Sequence, residues 1–178
     1  MITLTKATAQ NGLLDRLATS WELEVSGYGE TMDSFPQVEY AAEAMARDAT
    51  KPTFGIYVLH DPNTEGDETF YGLGHFNTAL LPKTKGITLR MVWFTLAPRF
   101  DLADPDPMKI ALMITSLING MYDLCGEGDM YANHMKLHLP NSDDRRFAQY
   151  LATGFTNKLP KISVAVGGAW LHIDNVHP

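Results

Sequence analysis

The sequence predicts an α+β fold, a mixed and mostly antiparallel sheet flanked by helices. Three observations lead there. Stretches of strict apolar–polar alternation stand between stretches of helical spacing. Three alternating stretches follow one another with connections too short for crossovers, which makes them an antiparallel meander. The last of the three, ITLRMVWFTLA from Ile87, is apolar on both faces: Ile87, Leu89, Met91 and Trp93 on one, Val92, Phe94 and Leu96 on the other. Such a strand is central and covered on both sides. At 178 residues the chain fits one domain spanning 1–178, with no internal repeat, low-complexity segment or linker.

The elements follow in order. ITLTKA, Ile2 to Ala7, is a short strand. From Ala9 to Val25, Leu14, Leu17 and Trp21 recur at helical spacing. SGYGETMDS breaks the pattern. A second helix starts at Ser34, which has capping-box spacing to Gln37, and its stripe is Val38, Ala41 and Met45. The meander TFGIYVLH, TFYGLGHFNTALL and ITLRMVWFTLA comes next. A helix from Pro107 to Cys125 carries Ile110, Ile114, Leu117, Ile118 and Met121 on one face. ANHMKLHL is a strand with Met135, Leu137 and Leu139 set against His134, Lys136 and His138. Asn141 or Ser142 caps a helix with the stripe Phe147, Tyr150, Leu151 and Phe155. KISVAVGGAWLHI closes the chain as one bent strand or two short ones, broken at Gly167-Gly168. The order is β-α-α-β-β-β-α-β-α-β.

Composition narrows function. The formal net charge is -7, and there is no basic run, which argues against nucleic acid or an anionic membrane as partner. No apolar run reaches the length of a membrane span, and the first residues do not form a secretory signal. The expectation is an intracellular, cytoplasmic protein. The one cysteine, Cys125, lies in an apolar helical pattern and reads as a buried, inert thiol. His134 and His138 have HxxxH spacing, but on a strand four residues separate them by roughly 13 Å, so they share no metal. No metal site is expected.

The element order, together with NSDDRRFAQYLATGF, resembles the GNAT (Gcn5-related N-acetyltransferase) superfamily. The matching residues are Asn141 after the fifth strand and Tyr150, Gly154 and Phe155 at the end of the following helix. The resemblance implies an acetyl-CoA site. Tyr150 would protonate the leaving thiolate. Backbone groups of Phe94, Thr95 and Leu96 would hold the pantetheine arm, and His75 would serve as base for a substrate amine. Arg99 would stand for the leading basic residue of the family's pyrophosphate loop, with Asn141 as a further cofactor contact.

The loop itself departs from the family. Where the pattern wants Arg/Gln-x-x-Gly-x-Gly/Ala, this chain has PRFDLADPDPMKI. No glycine follows Arg99, and Pro105 and Pro107 have no N–H to donate. Asp101, Asp104 and Asp106 would crowd a pyrophosphate. At an effective dielectric near 20, a like-charge contact at about 4 Å costs on the order of 4 kcal/mol. The same residues suit a helix start, with Asp104 before Pro105 or Asp106 before Pro107 giving an aspartate N-cap and a proline at the first helical position.

Two functions remain open. One is a GNAT fold with a weakened or lost acyl-CoA site, no cofactor, and a role in contact with protein partners or a larger assembly. The segment from MKIALMITSLINGMYDLC to RRFAQYLATGF is similar in layout to GNAT-like internal virion proteins of short-tailed phages, which implies a virion as one such assembly. The other is an active N-acetyltransferase that moves an acetyl group from acetyl-CoA to an amine.

Overall fold

A computed structural model describes residues 1–48, 50–62, 68–82, 85–104, 106–126, 128–139, 148, 163–174 and 176. Its elements are β1 (Thr3–Lys6), α1 (Leu13–Gly27), α2 (Gln37–Asp48), β2 (Phe54–Asp61), β3 (Thr69–Leu80), β4 (Ile87–Leu96), α3 (Pro98–Asp101), α4 (Pro107–Cys125), β5 (His134–His138), β6 (Ser163–Gly167) and β7 (Trp170–Asp174). Seven strands form one sheet in the order β1-β2-β3-β4-β5-β7-β6. β4 and β5 run parallel, from Thr88 opposite His134 to Met91 opposite Leu137. The β1/β2, β5/β7 and β6/β7 pairs are antiparallel. The mixed, mostly antiparallel sheet with flanking helices read from the sequence is therefore the architecture found.

The chain divides into two compact units, Met1–His75 with Phe94–Gly120, and Phe76–Trp93 with Met121–Pro178. In the first unit α1 buries Leu13, Leu14, Leu17, Trp21 and Val25. The edge of Trp21 meets Phe35, ring centroids 5.9 Å apart. α1 starts at Leu13, later than the periodicity suggested. The side-chain oxygen of Asn11 accepts from the amides of Thr8 and Leu13, and the Thr8 hydroxyl accepts from the Asn11 amide. That closed turn holds the chain out of the helix until Gly12, whose φ of 57° begins the first turn. Nor does Ser34 start α2. Its amide bonds to the Thr31 carbonyl in a separate 3-10 turn, Phe35 enters the core, and α2 begins at Gln37.

A chain of polar contacts ties β1, β2, α1 and Glu68, the residue before β3. The Thr5 hydroxyl lies 2.9 Å from His60 Nε2, and His60 Nδ1 lies 2.6 Å from Glu68. The other Glu68 oxygen accepts from Arg16 at 2.8 Å. Burial pushes the Glu68 carboxyl up, but the Arg16 and His60 hydrogen bonds outweigh it and hold the group below its usual range. The order is that of a hydroxyl–imidazole–carboxylate relay. With Arg16 on the carboxylate and His60 buried, it works as a brace.

The buried line of α4 is Met113, Leu117, Ile118, Met121, Leu124 and Cys125. It is rotated from the stripe expected, and Ile110 and Ile114 are only half-buried. The i, i+4 series from Met113 explains the rotation, because it alone continues unbroken to Cys125. Cys125 is fully buried, and burial pushes its thiol up to about 12, so it is inert at neutral pH. In the second unit Leu89, Met91, Met135, Leu137, Leu171 and Ile173 form the apolar side of the sheet. The segment after residue 162 is two strands, not one bent strand. β6 and β7 pair back to back as a hairpin, with Gly168 at φ 61° in its turn. The helix expected over 141–155 lies outside the described residues, apart from Ala148, which is helical and buried.

Two outcomes follow from this packing. A Cβ built on Gly120 would sit 2.5 Å from Leu4 Cβ. A helical Gly→Ala change ordinarily stabilises by about 1 kcal/mol; Gly120→Ala should instead lower unfolding stability by roughly 1–3 kcal/mol through overpacking. Denaturant titration reads the sign directly. Glu68→Gln should destabilise at pH 7, because a carboxyl held low contributes stability that is present above its unfolded pKa and lost as pH falls through the folded one. The gap to the parent protein should close as pH drops below about 4.3. A gap that stays constant from pH 7 to pH 3 would contradict the brace.

Candidate functional site

The joint between β4 and α4 is where the family resemblance locates cofactor chemistry, and its hydrogen bonds can be followed donor by donor. β4 passes Ala97 into α3, a single turn of four residues that the sequence did not announce. The backbone amide of Arg99 donates to Glu24 Oε1 at 2.5 Å. One guanidinium nitrogen donates to Glu24 Oε2 at 2.7 Å, and the other donates to the Phe70 carbonyl. The guanidinium also lies over the rings of Tyr71 and Phe100, 5.4 and 5.2 Å from their centroids. Glu24 thus takes both an amide of the α3 turn and the cation beside it.

Seven residues on, the arrangement recurs in local form. Asp106 stands just before α4, and its carboxylate accepts from the Met108 amide at 2.9 Å. Its carbonyl accepts from Lys109 and Ile110. This is a side-chain N-cap followed by proline at the first helical position. Asp101 and Asp104 are exposed.

The remaining expected site residues are dispersed. Phe94 lies against Gly72, where any Cβ would run into its ring. Phe94, Thr95 and Leu96 continue β4 five residues past Met91, the last residue in register with β5. His75 is buried on β3 between Phe54, 4.9 Å between centroids, and Tyr40, 6.4 Å. Both of these neighbours are aromatic rings. Tyr150 and Asn141 lie outside the described residues. Among the described residues of the expected set, Phe94, Thr95, Leu96 and Arg99 lie in one continuous stretch.

Two features carried no signal in the sequence. One is Glu24, the partner of Arg99 from 75 positions away; a single glutamate on a helix says nothing about its distant contact. The other is a groove of about 560 Å³ in the first unit, between the β1–α1 connection, α2 and the start of β2. Ala7, Leu14, Met45 and Phe54 line its apolar part, and Lys6 and Asp15 are at hand.

No protein-family model matches the chain, and no curated protein sequence does. Among solved structures it is similar to one described as a KacTA–DNA complex, with 9% identity over 76% of this chain and 77% of that one, at a TM-score of 0.47. It is similar to a mutant AtaT toxin bound to the C-terminus of the antitoxin AtaR and acetyl-CoA, with 10% identity, 78% of each chain covered and a TM-score of 0.47. AtaTR bound with acetyl-CoA gives 13% identity over 74% and 76%, at 0.40. Likeness of this degree assigns no role to any residue here.

Asp106→Ala should cost about 1 kcal/mol of stability, as loss of a helix cap does, measured by urea unfolding. Asp104→Ala, which removes no such bond, should stay within about 0.5 kcal/mol. Equal effects at the two positions would mean that the cap is not formed.

Proposed function

We propose that this is a GNAT-like protein whose cofactor turn serves as a structural joint, and that it acts through contact with a protein partner or within a larger assembly, such as a virion, rather than by acyl transfer. One observation carries the reading: the chain's own carboxylates, Glu24 and Asp106, hold the donors that a pyrophosphate would need. A backbone N–H given to a carboxylate is not available to a phosphate oxygen. Removing Glu24 from Arg99 would break charge-assisted bonds worth roughly 1.5–3 kcal/mol each. The turn also lacks a glycine to bring backbone close, and Pro107 contributes no donor. A cofactor that needs this turn fits poorly with the residues present.

The net charge of -7 disfavours a polyanionic partner, which leaves protein surfaces. Among the described residues no helix is long and apolar enough to cross a membrane.

One observation favours the second reading, an N-acetyltransferase. The continuation of β4 through Phe94–Leu96 beyond its parallel ladder is where strand-edge hydrogen bonds would take a pantetheine arm without any particular side chain. Tyr150 would then be the acid.

Calorimetry with acetyl-CoA separates the two. The lost-site reading expects no saturable heat at tens of micromolar, for the parent protein and for Tyr150→Phe alike. The double variant Asp104→Gly, Asp106→Gly should gain affinity if the turn alone blocks binding. Micromolar affinity in the parent protein would restore the acyltransferase.

A further inference from the structure

A surface helix ordinarily carries charged and polar residues on its outer face. α4 does not. Its outer line is Met108, Ala111, Thr115, Asn119 and Tyr122, all exposed, with Leu112 exposed beside it. Met108 is 76% exposed, Leu112 54% and Tyr122 41%. The Thr115 hydroxyl donates to the Ala111 carbonyl at 2.8 Å, so its donor is already used. In its whole length α4 has two charged residues, Lys109 near one end and Asp123 near the other, both exposed. Contiguous apolar surface of this kind marks an interaction face.

The line is symmetric about its own middle. From Met108 to Tyr122 the steps are three, four, four and three residues, so Thr115 stands at the centre. α4 is one unbroken helix, so the placing of these residues follows from helix geometry alone. At 100° per residue all five lie within about 40° of Thr115. A palindromic spacing is what an isologous, two-fold contact requires. Laid antiparallel on a two-fold axis through Thr115, a second copy sets Met108 against the partner's Tyr122, Ala111 against the partner's Asn119, and Thr115 against itself. The small residues fall at the centre, where two helices must come close, and the long ones at the ends. A methionine sulfur against an aromatic ring is itself a favourable contact.

The two charges choose the direction. Lys109 and Asp123 lie on the same flank of the line, about 120° and 80° round from Thr115. In the antiparallel pair Lys109 comes level with the partner's Asp123 to within two residues, about 3 Å along the axis, and the pair forms twice. In a parallel pair each charge would stand beside its own copy and repel it. The chain's net charge of -7 opposes self-association in general, but on this face the charges cancel. We propose that α4 is a self-recognition face, through which two copies of this chain pair antiparallel about Thr115. The pairing does not rest on the lost cofactor site and holds equally for an acyltransferase. About four turns of helix bury less than the roughly 800 Å² per partner of a standard interface, so the dimer is reversible, with a dissociation constant on the order of 100 µM.

Sedimentation equilibrium of the full-length protein, from about tenfold below to about tenfold above that constant, should show monomer passing into dimer. Thr115→Arg puts two cations on the axis and should leave a monomer throughout. Its melting temperature in dilute solution should match the parent's, because Thr115 is exposed. Lys109→Glu and Asp123→Lys should each weaken association about fivefold or more, and the two together should restore it. Restoration is an effect that damage to the helix would not produce. Disulfide trapping reads the direction, because Cys125 is buried and inert and an introduced thiol is the reactive one. Thr115→Cys should trap a dimer under mild oxidation. Met108→Cys should not, since its two copies would stand about 21 Å apart. A protein that stays monomeric at every concentration overturns the proposal, as does a dimer that Thr115→Arg leaves intact. Equal trapping by Met108→Cys and Thr115→Cys would mean a parallel pair and would sink it too.

Discussion

A backbone amide can be given once, and the joint after β4 is organised by that constraint. Glu24 projects from α1 and collects the Arg99 amide and guanidinium together, while the remaining guanidinium donor goes to the Phe70 carbonyl on β3. Three elements of the first unit are thereby fixed to one arginine. Arg99 stands in the α3 turn directly after β4, so the same bonds hold the end of that strand. Arg99 and Glu24 are only partly exposed, at 32% and 17% of their side-chain surface, so water competes less for these bonds than at an open surface pair.

The same constraint explains why a loop rich in aspartate is stable. Three like charges in six residues would repel if all faced one cavity. Asp106 instead spends its charge on the first turn of α4, where the helix dipole favours it. Asp104 is left in solvent, where screening is strong, and partial burial pushes the Asp101 carboxyl above its usual range, which lessens its charge.

What could be read from the sequence and what could not divides along the range of the interaction. The meander, the start of α4 at Pro107 and the Asp106 cap depend on neighbours within a few residues, and spacing reveals them. The strand alternation of Met135 and Leu137 against His134 and Lys136 likewise settled which side of the sheet is apolar. Spacing places the α1 start too early because a side chain, Asn11, bonds the backbone in competition with the helix. Spacing does not decide the terminal hairpin, because two glycines permit both a bend and a reversal. Glu24 beneath Arg99 and Leu4 against Gly120 are contacts between distant segments, and no local pattern encodes them. The rotation of α4 belongs with these: several of its faces are apolar enough to be buried, and packing chose among them.

The interleaving of the two units bears on how the protein is made. The first unit is closed by Phe94–Gly120, and the second begins with Phe76–Trp93, before that closure. A ribosome therefore cannot release a finished first half. Until Gly120 has emerged, Leu4 has no helix to rest on and Glu24 has had its arginine for only some twenty residues of synthesis, on the order of seconds. Contacts within residues 1–75, such as Trp21 on Phe35 and Arg16 on Glu68, need nothing made later, whereas the Leu4–Gly120 contact waits for the end of that interval.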